Sequence, residues 1–348
     1  MKLGKVDENF LVNVILENLG ADREDILVGP GPGLDNTVIA LNGKEVIIVT
    51  SDPLSFIPSV GVANSAWLTL SLLASDYTTS GNMPEYAFFT FNLPPDFEGI
   101  ILSRYLKALS HECKKLGVNI AGGHTGRYPG CNLTIVGAGV LMGKAKRNNF
   151  VTPSMAKEGD SIIITKGAAI ASTAILAYSF PETIRKALGE KILEGAREML
   201  KECSTVRDAI VASSVGLRKK VTSMHDATEG GVLGGLYELS KACGKAVYVN
   251  LDKIPIKNET ESICKLFSID PLVSVSEGTL IITCKEEYQD EVLQSLEKNY
   301  IFASAVGNIR RGQGLWIRKD GKEYHLFVPP ESDPYWKAYS DAIGRGWK

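Results

Sequence analysis

The sequence predicts a mixed α/β fold in two domains, on three observations. Its 348 residues suit about two domains of ordinary size. Short apolar runs alternate with amphipathic stretches through the second half, the pattern of helices covering a sheet. Between the halves, residues 144–160 form a polar stretch with one proline and one glycine. This sets a boundary near residue 150, giving domains at 1–150 and 151–330 and a tail at 331–348.

In chain order, residues 7–19 repeat apolar side chains at helical spacing (Phe10, Leu11, Val14, Ile15, Leu19), with Asp7 as N-cap and Gly20 as stop. A glycine loop follows at 29–33, then strands over 38–41 and 46–49. The small residues of 61–80 predict a closely packed helix, 86–92 a strand, and 97–116 an amphipathic helix ending before Gly117. Residues 118–121 predict a short buried strand that stops at Gly122-Gly123-His124-Thr125-Gly126, and 133–141 another strand. In the second half, Ile162-Ile163-Ile164 predicts a buried strand running into Thr165-Lys166-Gly167, with a helix from about Ala168. Several helices occupy 182–217. A strand at 221–224 ends at His225-Asp226-Ala227-Thr228-Glu229-Gly230-Gly231, and a helix runs from there through Ala242. Strands near 246–250 and 279–284 then alternate with helices near 258–267 and 286–298. The aromatic tail (Tyr335, Trp336, Tyr339, Trp347) predicts a short docked amphipathic helix, because exposing so many rings is costly.

A formal net charge of −2, with no basic run, argues against a nucleic-acid or membrane partner. No apolar span reaches the roughly 20 residues that cross a bilayer, and the N-terminus lacks an apolar signal core, so the expected location is cytoplasmic. The six cysteines are far apart in sequence, which excludes a CxxC zinc or redox pair and favours reduced core thiols.

Chemistry is concentrated at element ends. In Gly29-Pro30-Gly31-Pro32-Gly33-Leu34-Asp35-Asn36, glycines allow backbone N–H groups to turn toward an anion, and an aspartate follows. A second acid closes the next strand in Thr50-Ser51-Asp52-Pro53. Aspartates beside such a loop can hold magnesium against a phosphate, which points to a nucleoside triphosphate. No Gly-Lys-Ser/Thr follows, so the loop is not a P-loop. Each residue also has a plainer reading. Asp35 and Asp52 could cap turns, Asp76 could be solvated, and His124 could be a hydrogen-bonded buried histidine. His225 could orient Asp226 or fill a strand end. Lys166, before Gly167 and a helix start, suits an anion or solvent, and Thr228-Glu229 could be a helix cap.

The string Met224-His225-Asp226-Ala227-Thr228-Glu229-Gly230-Gly231-Val232-Leu233-Gly234-Gly235-Leu236-Tyr237-Glu238-Leu239 resembles the most diagnostic motif of the aminoimidazole ribonucleotide (AIR) synthase superfamily. Gly33-Leu34-Asp35, Ser51-Asp52-Pro53, Ser75-Asp76, Gly122-Gly123-His124-Thr125 and Ile164-Thr165-Lys166-Gly167 follow the family's order, and the resemblance to HypE-like members covers about residues 25–310. It implies a PurM-like α+β fold whose N-terminal domains pair into a dimeric β-barrel, flanked by C-terminal α/β sandwich domains. It also implies ATP and Mg2+ in the cleft between domains. By position, Asp35, Asp52 and Asp76 would bind magnesium. Gly31, Gly33, Thr165, Lys166 and Gly167 would lie near phosphates. Asp226, Thr228 and His225 would lie in the cleft, with Asp226, His225 and Lys166 as the catalytic candidates. Leu34, Ser75, His124 and Gly126 stand where relatives often carry other side chains, and HypE's terminal cysteine has no counterpart in Gly344-Arg345-Gly346-Trp347-Lys348.

The expected activity is ATP-dependent phosphorylation of a carbonyl, carboxamide or carbamoyl oxygen on a small molecule or a partner protein, by a homodimer. The alternatives are a non-catalytic nucleotide-binding dimer acting as a maturation or regulatory scaffold, and a metabolite-binding protein without nucleotide affinity.

Overall fold

The computed structural model describes residues 4–348. A single helical turn, α1 (Glu8–Phe10), is capped by Asp7, whose carboxylate accepts from the Phe10 N–H at 2.9 Å. The expected regular helix over 7–19 does not continue. The winding widens over Leu11–Ile15 and tightens over Leu16–Asn18. Val12, Val14, Ile15 and Leu19 stay exposed, so no core contact enforces a 3.6-residue repeat.

The first sheet comprises β1 (Ile26–Val28), β2 (Thr37–Ala40), β3 (Glu45–Ser55), β4 (Tyr86–Leu93), β5 (Asn119–Arg127) and β6 (Ile135–Lys146), in spatial order β1-β2-β3-β6-β4-β5. Only β4 and β5 pair in parallel, as their connection through a helix requires. Two helices, α2 (Val62–Thr78) and α3 (Gly99–Leu116), cover one face. Alternation along β3 buries Val46 and Ile48 against Leu70, Leu73 and Tyr77 of α2 and Tyr105 and Leu109 of α3. The expectation for 118–121 is corrected. The strand runs on through Gly122 to Arg127 and lies at an exposed sheet edge. Gly123 (φ +147°) is what lets it continue, since a Cβ there would lie 1.9 Å from the Phe89 carbonyl oxygen.

The second sheet contains β7 (Asp160–Thr165), β8 (Val221–Ala227), β9 (Ala246–Asn250), β10 (Thr279–Lys285), β11 (Ala303–Arg310), β12 (Leu315–Arg318) and β13 (His325–Leu326), in spatial order β13-β12-β9-β11-β7-β10-β8. β11, β12 and β13 correspond to no predicted element. Around it run α4 (Ile170–Ser179), α5 (Pro181–Leu188), α6 (Glu190–Glu198), α7 (Val206–Gly216), α8 (Gly231–Cys243), α9 (Asn258–Phe267), α10 (Gln289–Lys298) and α11 (Pro334–Gly344). α8 buries Val232, Leu236 and Leu239 on one face of the sheet, while α7 and α10 bury Ala209, Val292 and Leu296 on the other. The tail docks as expected: Tyr335 and Ala338 of α11 join a cluster with α4, α6 and α9, and Phe267 meets Trp347 edge-on.

The two sheets are joined where the site lies. β8 is the edge strand of its sheet, yet every residue in it is buried. Val60 and Leu68 of the first half share the core cluster of α4 and α6, and Ser75 on α2 accepts a hydrogen bond from the Thr205 N–H. The glycine loop lies against α8. Gly33 has φ +69°, and a Cβ there would lie 2.4 Å from the Glu238 carbonyl oxygen. Gly33→Ala should therefore lower stability by about 1–3 kcal/mol, through backbone strain and a steric clash. Thermal unfolding checks this, and an unchanged midpoint would mean that the loop does not pack on α8.

Candidate active site

Four aspartates from four different elements line one cavity of about 690 Å³. Period-two geometry places Thr50 and Asp52 on one face of β3. Thr50 donates to the Asp35 carbonyl oxygen at 2.8 Å and so fixes the end of the glycine loop. Asn36, next in the loop, is buried and donates to the Asp76 carbonyl oxygen (2.8 Å) and to Thr79 Oγ1 (2.9 Å). These bonds tie the loop carrying Asp35 to the end of α2 that carries Asp76. From the other half, the buried edge strand β8 delivers His225 and Asp226.

His225 bridges the halves. Its Nδ1 lies 2.8 Å from Asp35 Oδ1 and its Nε2 lies 3.1 Å from Glu238 Oε2. Burial opposes its charge, but the two carboxylates win and raise its pKa to about 10. Glu238, despite burial, is held down at about 2 by Lys5 and His225. Lys5 reaches in from the N-terminus: its stem is exposed, while its Nζ lies 3.0 Å from Thr228 Oγ1 and 3.3 Å from Glu238 Oε1. Burial of that ammonium is outweighed by Glu238 and then Asp76, which hold its pKa above the usual lysine range.

The remaining acids are poorly compensated. Burial first, then the Asp35 charge, pushes Asp226 up to about 7. Burial pushes Asp52 up to about 6 against the pull of Lys5. Asp76 stands well above its ordinary value through burial, followed by the charges of Asp226, Asp52 and Asp35. Glu277 lines the same cavity and is pushed up to about 8 by burial, with Asp226 and Asp52 adding to it. Asp35 Oδ2, Asp226 Oδ1 and Glu277 Oε2 are buried without a hydrogen-bond partner. Ligand atoms of Asp35, His225 and Asp226 all lie within 4.8 Å of one another. Orphaned carboxylate oxygens grouped in this way fit a hard divalent cation such as magnesium, which takes oxygen ligands and compensates buried negative charge.

The other expected residues are distributed as follows. Thr228 lines the acid cavity, and Gly33 packs behind it. Gly31 has no positive φ, and its nearest neighbour is the Leu34 side chain. Thr165, Lys166 and Gly167 are not brought to the acids. Thr165 Oγ1 donates to Asp208 (2.7 Å), and Lys166 Nζ contacts Asp208 Oδ2 (2.8 Å) and the Ser204 carbonyl (2.6 Å). Gly167 packs on the Pro255 carbonyl, and Lys166 lines a separate cavity with Arg207 and Lys257. His124 pairs with Tyr128 on the exposed edge strand. Lys5 and Glu277 carry no signal in the sequence, while Glu238 lies at the end of the motif that begins at Met224, without a role assigned from sequence.

Two family profiles cover most of the chain. The one described as AIR synthase related protein, N-terminal domain, matches residues 33–141, and its C-terminal counterpart matches residues 157–318. The chain belongs to the AIR synthase-related family. Relatives of this AIR synthase-related protein include a Methanocaldococcus jannaschii protein named for hydrogenase expression and formation, 26% identical over 310 residues (85% of this chain, 84% of that one). The selenide, water dikinase of the same organism is 26% identical over 333 residues (90% of each chain). Among solved structures, HypE in a HypE–HypF complex superposes with a TM-score of 0.70 at 19% identity (92% of this chain, 99% of that one). ThiL bound to AMPPCP and TMP superposes with a TM-score of 0.69 at 18% identity (94% and 100%). These superpositions establish the PurM-like two-sheet fold.

The raised acids make the metal-free AIR synthase-related protein sensitive to pH. A carboxyl whose folded pKa lies above its unfolded value binds more protons in the folded state, so its contribution is complete at low pH and lost as pH rises. For Asp52, Asp226 and Glu277 the loss runs from about pH 4 through 6, 7 and 8. His225 contributes stability with the same sign, fully present below its unfolded value and lost as pH rises through about 10. The melting temperature in chelator should fall between pH 5 and 8. Millimolar magnesium should flatten the fall, and so should Asp226→Asn. A profile that is flat in chelator, or unmoved by magnesium, would contradict this electrostatic picture.

Proposed function

We propose that this protein is an ATP- and magnesium-dependent enzyme that phosphorylates a carbonyl, carboxamide or carbamoyl oxygen of a small molecule or a partner protein. The observation that carries this reading is the convergence of Asp35, Asp52, Asp76 and Asp226 on one cavity, with oxygens of Asp35 and Asp226 buried and unpartnered. Kinship with a dikinase, and a fold shared with a ThiL seen with a nucleotide analogue, support the same class of reaction.

Each residue has a part that follows from its surroundings. Asp35, Asp52, Asp76 and Asp226 would hold the cation, with His225 keeping Asp35 oriented through its 2.8 Å contact. Magnesium, when bound, would neutralise charge on the transferring phosphate. Lys5 adds a positive charge to the cavity lining. Glu277, protonated near neutral pH because of its burial, can donate a hydrogen bond to an acceptor oxygen. Trp336 Nε1 donates to Glu229 at 3.0 Å, so the tail helix closes one wall of the cavity. No covalent nucleophile is needed, because phosphoryl transfer depends mainly on positioning and charge neutralisation.

ADP release with candidate amides and carbamoyl compounds should fall at least about 100-fold in Asp52→Asn and Asp226→Asn, and should vanish in chelator. Turnover equal to wild type in both variants would remove the proposal.

A homodimer through the first sheet is part of the same reading. Tyr86 and Phe88 of β4, Ile120 of β5 and Ile135 of β6 leave an apolar patch open on the face opposite α2 and α3. Ile120→Lys should convert a dimer to a monomer in light scattering. A wild-type protein that is monomeric, or a variant that remains dimeric, would overturn this assembly.

A further inference from the structure

A second cavity, of about 680 Å³, lies on the second sheet and shares no lining residue with the acid site. It opens over β9, β12 and the end of β11, beyond α7 and α10, whose buried residues pack over β7, β8, β10 and the start of β11 at Ala303 and Ala305. Strand alternation sends Val247, Val249, Leu315 and Ile317 into the core and leaves Tyr248, Asn250, Trp316 and Arg318 on the open face.

That face is built from aromatic rings and guanidinium groups. The Tyr248 and Trp316 rings are stacked at 5.8 Å, and Tyr324 meets Tyr248 edge-on at 5.0 Å. Arg310 sits 4.2 Å over the Tyr248 ring, and Arg318 sits 5.0 Å over Tyr324. A guanidinium held by its flat face keeps its in-plane N–H groups free, the arrangement that binds an oxyanion through paired hydrogen bonds. Arg310 uses Nε on Asn308 Oδ1 at 2.8 Å. Arg318 Nε is buried and has no partner. Among the described residues, Arg310, Arg311 and Arg318 form no salt bridge, although Glu158 and Glu286 line the same cavity. With Lys253, four cations face two carboxylates, an excess that suits a dianion. The volume leaves room for an organic body beyond the anion itself.

We propose that this cavity is a binding site for a phosphate-bearing small molecule, held by Arg310, Arg311 and Arg318 with Tyr324 in its wall. The site is independent of the proposed chemistry at the acid cavity, and its test does not involve turnover.

Pyrophosphate and a nucleoside monophosphate serve as probes, titrated calorimetrically into the full chain in chelator, where the acid cavity repels anions. Wild type should bind at least one of them, with affinity falling as salt rises. Arg318→Gln and Arg310→Gln should each weaken binding by about tenfold or more, and Arg318→Lys by less than Arg318→Gln. Asp226→Asn should leave the affinity unchanged. Arg311→Gln, at an exposed position, provides a variant whose folding is not in question, and melting curves establish that the others are folded. Absence of binding by wild type, equal binding by the arginine variants, or loss of binding in Asp226→Asn would each overturn the proposal. So would binding of a single-stranded RNA oligomer through these arginines by a protein that ignores both probes.

Discussion

The constraint on which the rest depends is the confinement of like charges. Asp52 and Asp76 from the first half meet Asp226 and Glu277 from the second in a cavity where burial raises the pKa of each. Folding alone does not favour such a cluster, because each carboxylate is better solvated in water. The surrounding packing imposes it. An edge strand buried along its whole length, a glycine loop seated on a helix backbone, and an asparagine clamp on α2 leave the acids little freedom to separate. The protein therefore stores electrostatic stress that a divalent cation with a phosphate ligand would relieve.

His225 and Lys5 show how far the chain itself offsets that stress. His225 takes one carboxylate on each ring nitrogen and is held in the charged form by them. It neutralises Asp35 on the side away from the cavity, leaving Oδ2 free. Lys5 contributes charge from a segment held by Glu229, Thr228 and Glu238, and by Tyr237 and Lys241 through Glu8. The compensation is thus partial, and it leaves the cavity centre acidic.

Much of this was legible in the sequence, because the relevant signals are local. Glycines at alternate positions before Asp35, an acid at the end of a β-branched strand, and the His-Asp-Ala-Thr-Glu-Gly-Gly junction each mark an element end. The helix at 99–116 announced itself by its amphipathic pattern and by Gly117 after it, that at 62–78 by its small residues, and that at 231–243 by the Gly230-Gly231 junction before it. Less was legible where structure is set by distant contacts. The glycine pair at 122–123 suggested a stop, but there it permits close strand pairing. β11, built largely of small and polar residues, gave no clear apolar alternation, and β12 alternates over only four residues, Leu315–Arg318. Glu277 sits in an ordinary Ser-Glu-Gly turn, and only the fold brings it to the aspartates. Thr165 and Lys166 looked like phosphate ligands, yet Asp208 on α7, forty-odd residues away, holds both side chains.

The most direct measurement is the anomalous scattering of manganese in crystals grown with a non-hydrolysable ATP analogue, since manganese accepts the same oxygen ligands as magnesium. The account predicts a peak among Asp35, Asp52, Asp76 and Asp226, with the polyphosphate beside the Gly29–Gly33 loop. Nucleotide bound elsewhere, with these four carboxylates facing water and no metal between them, would contradict it.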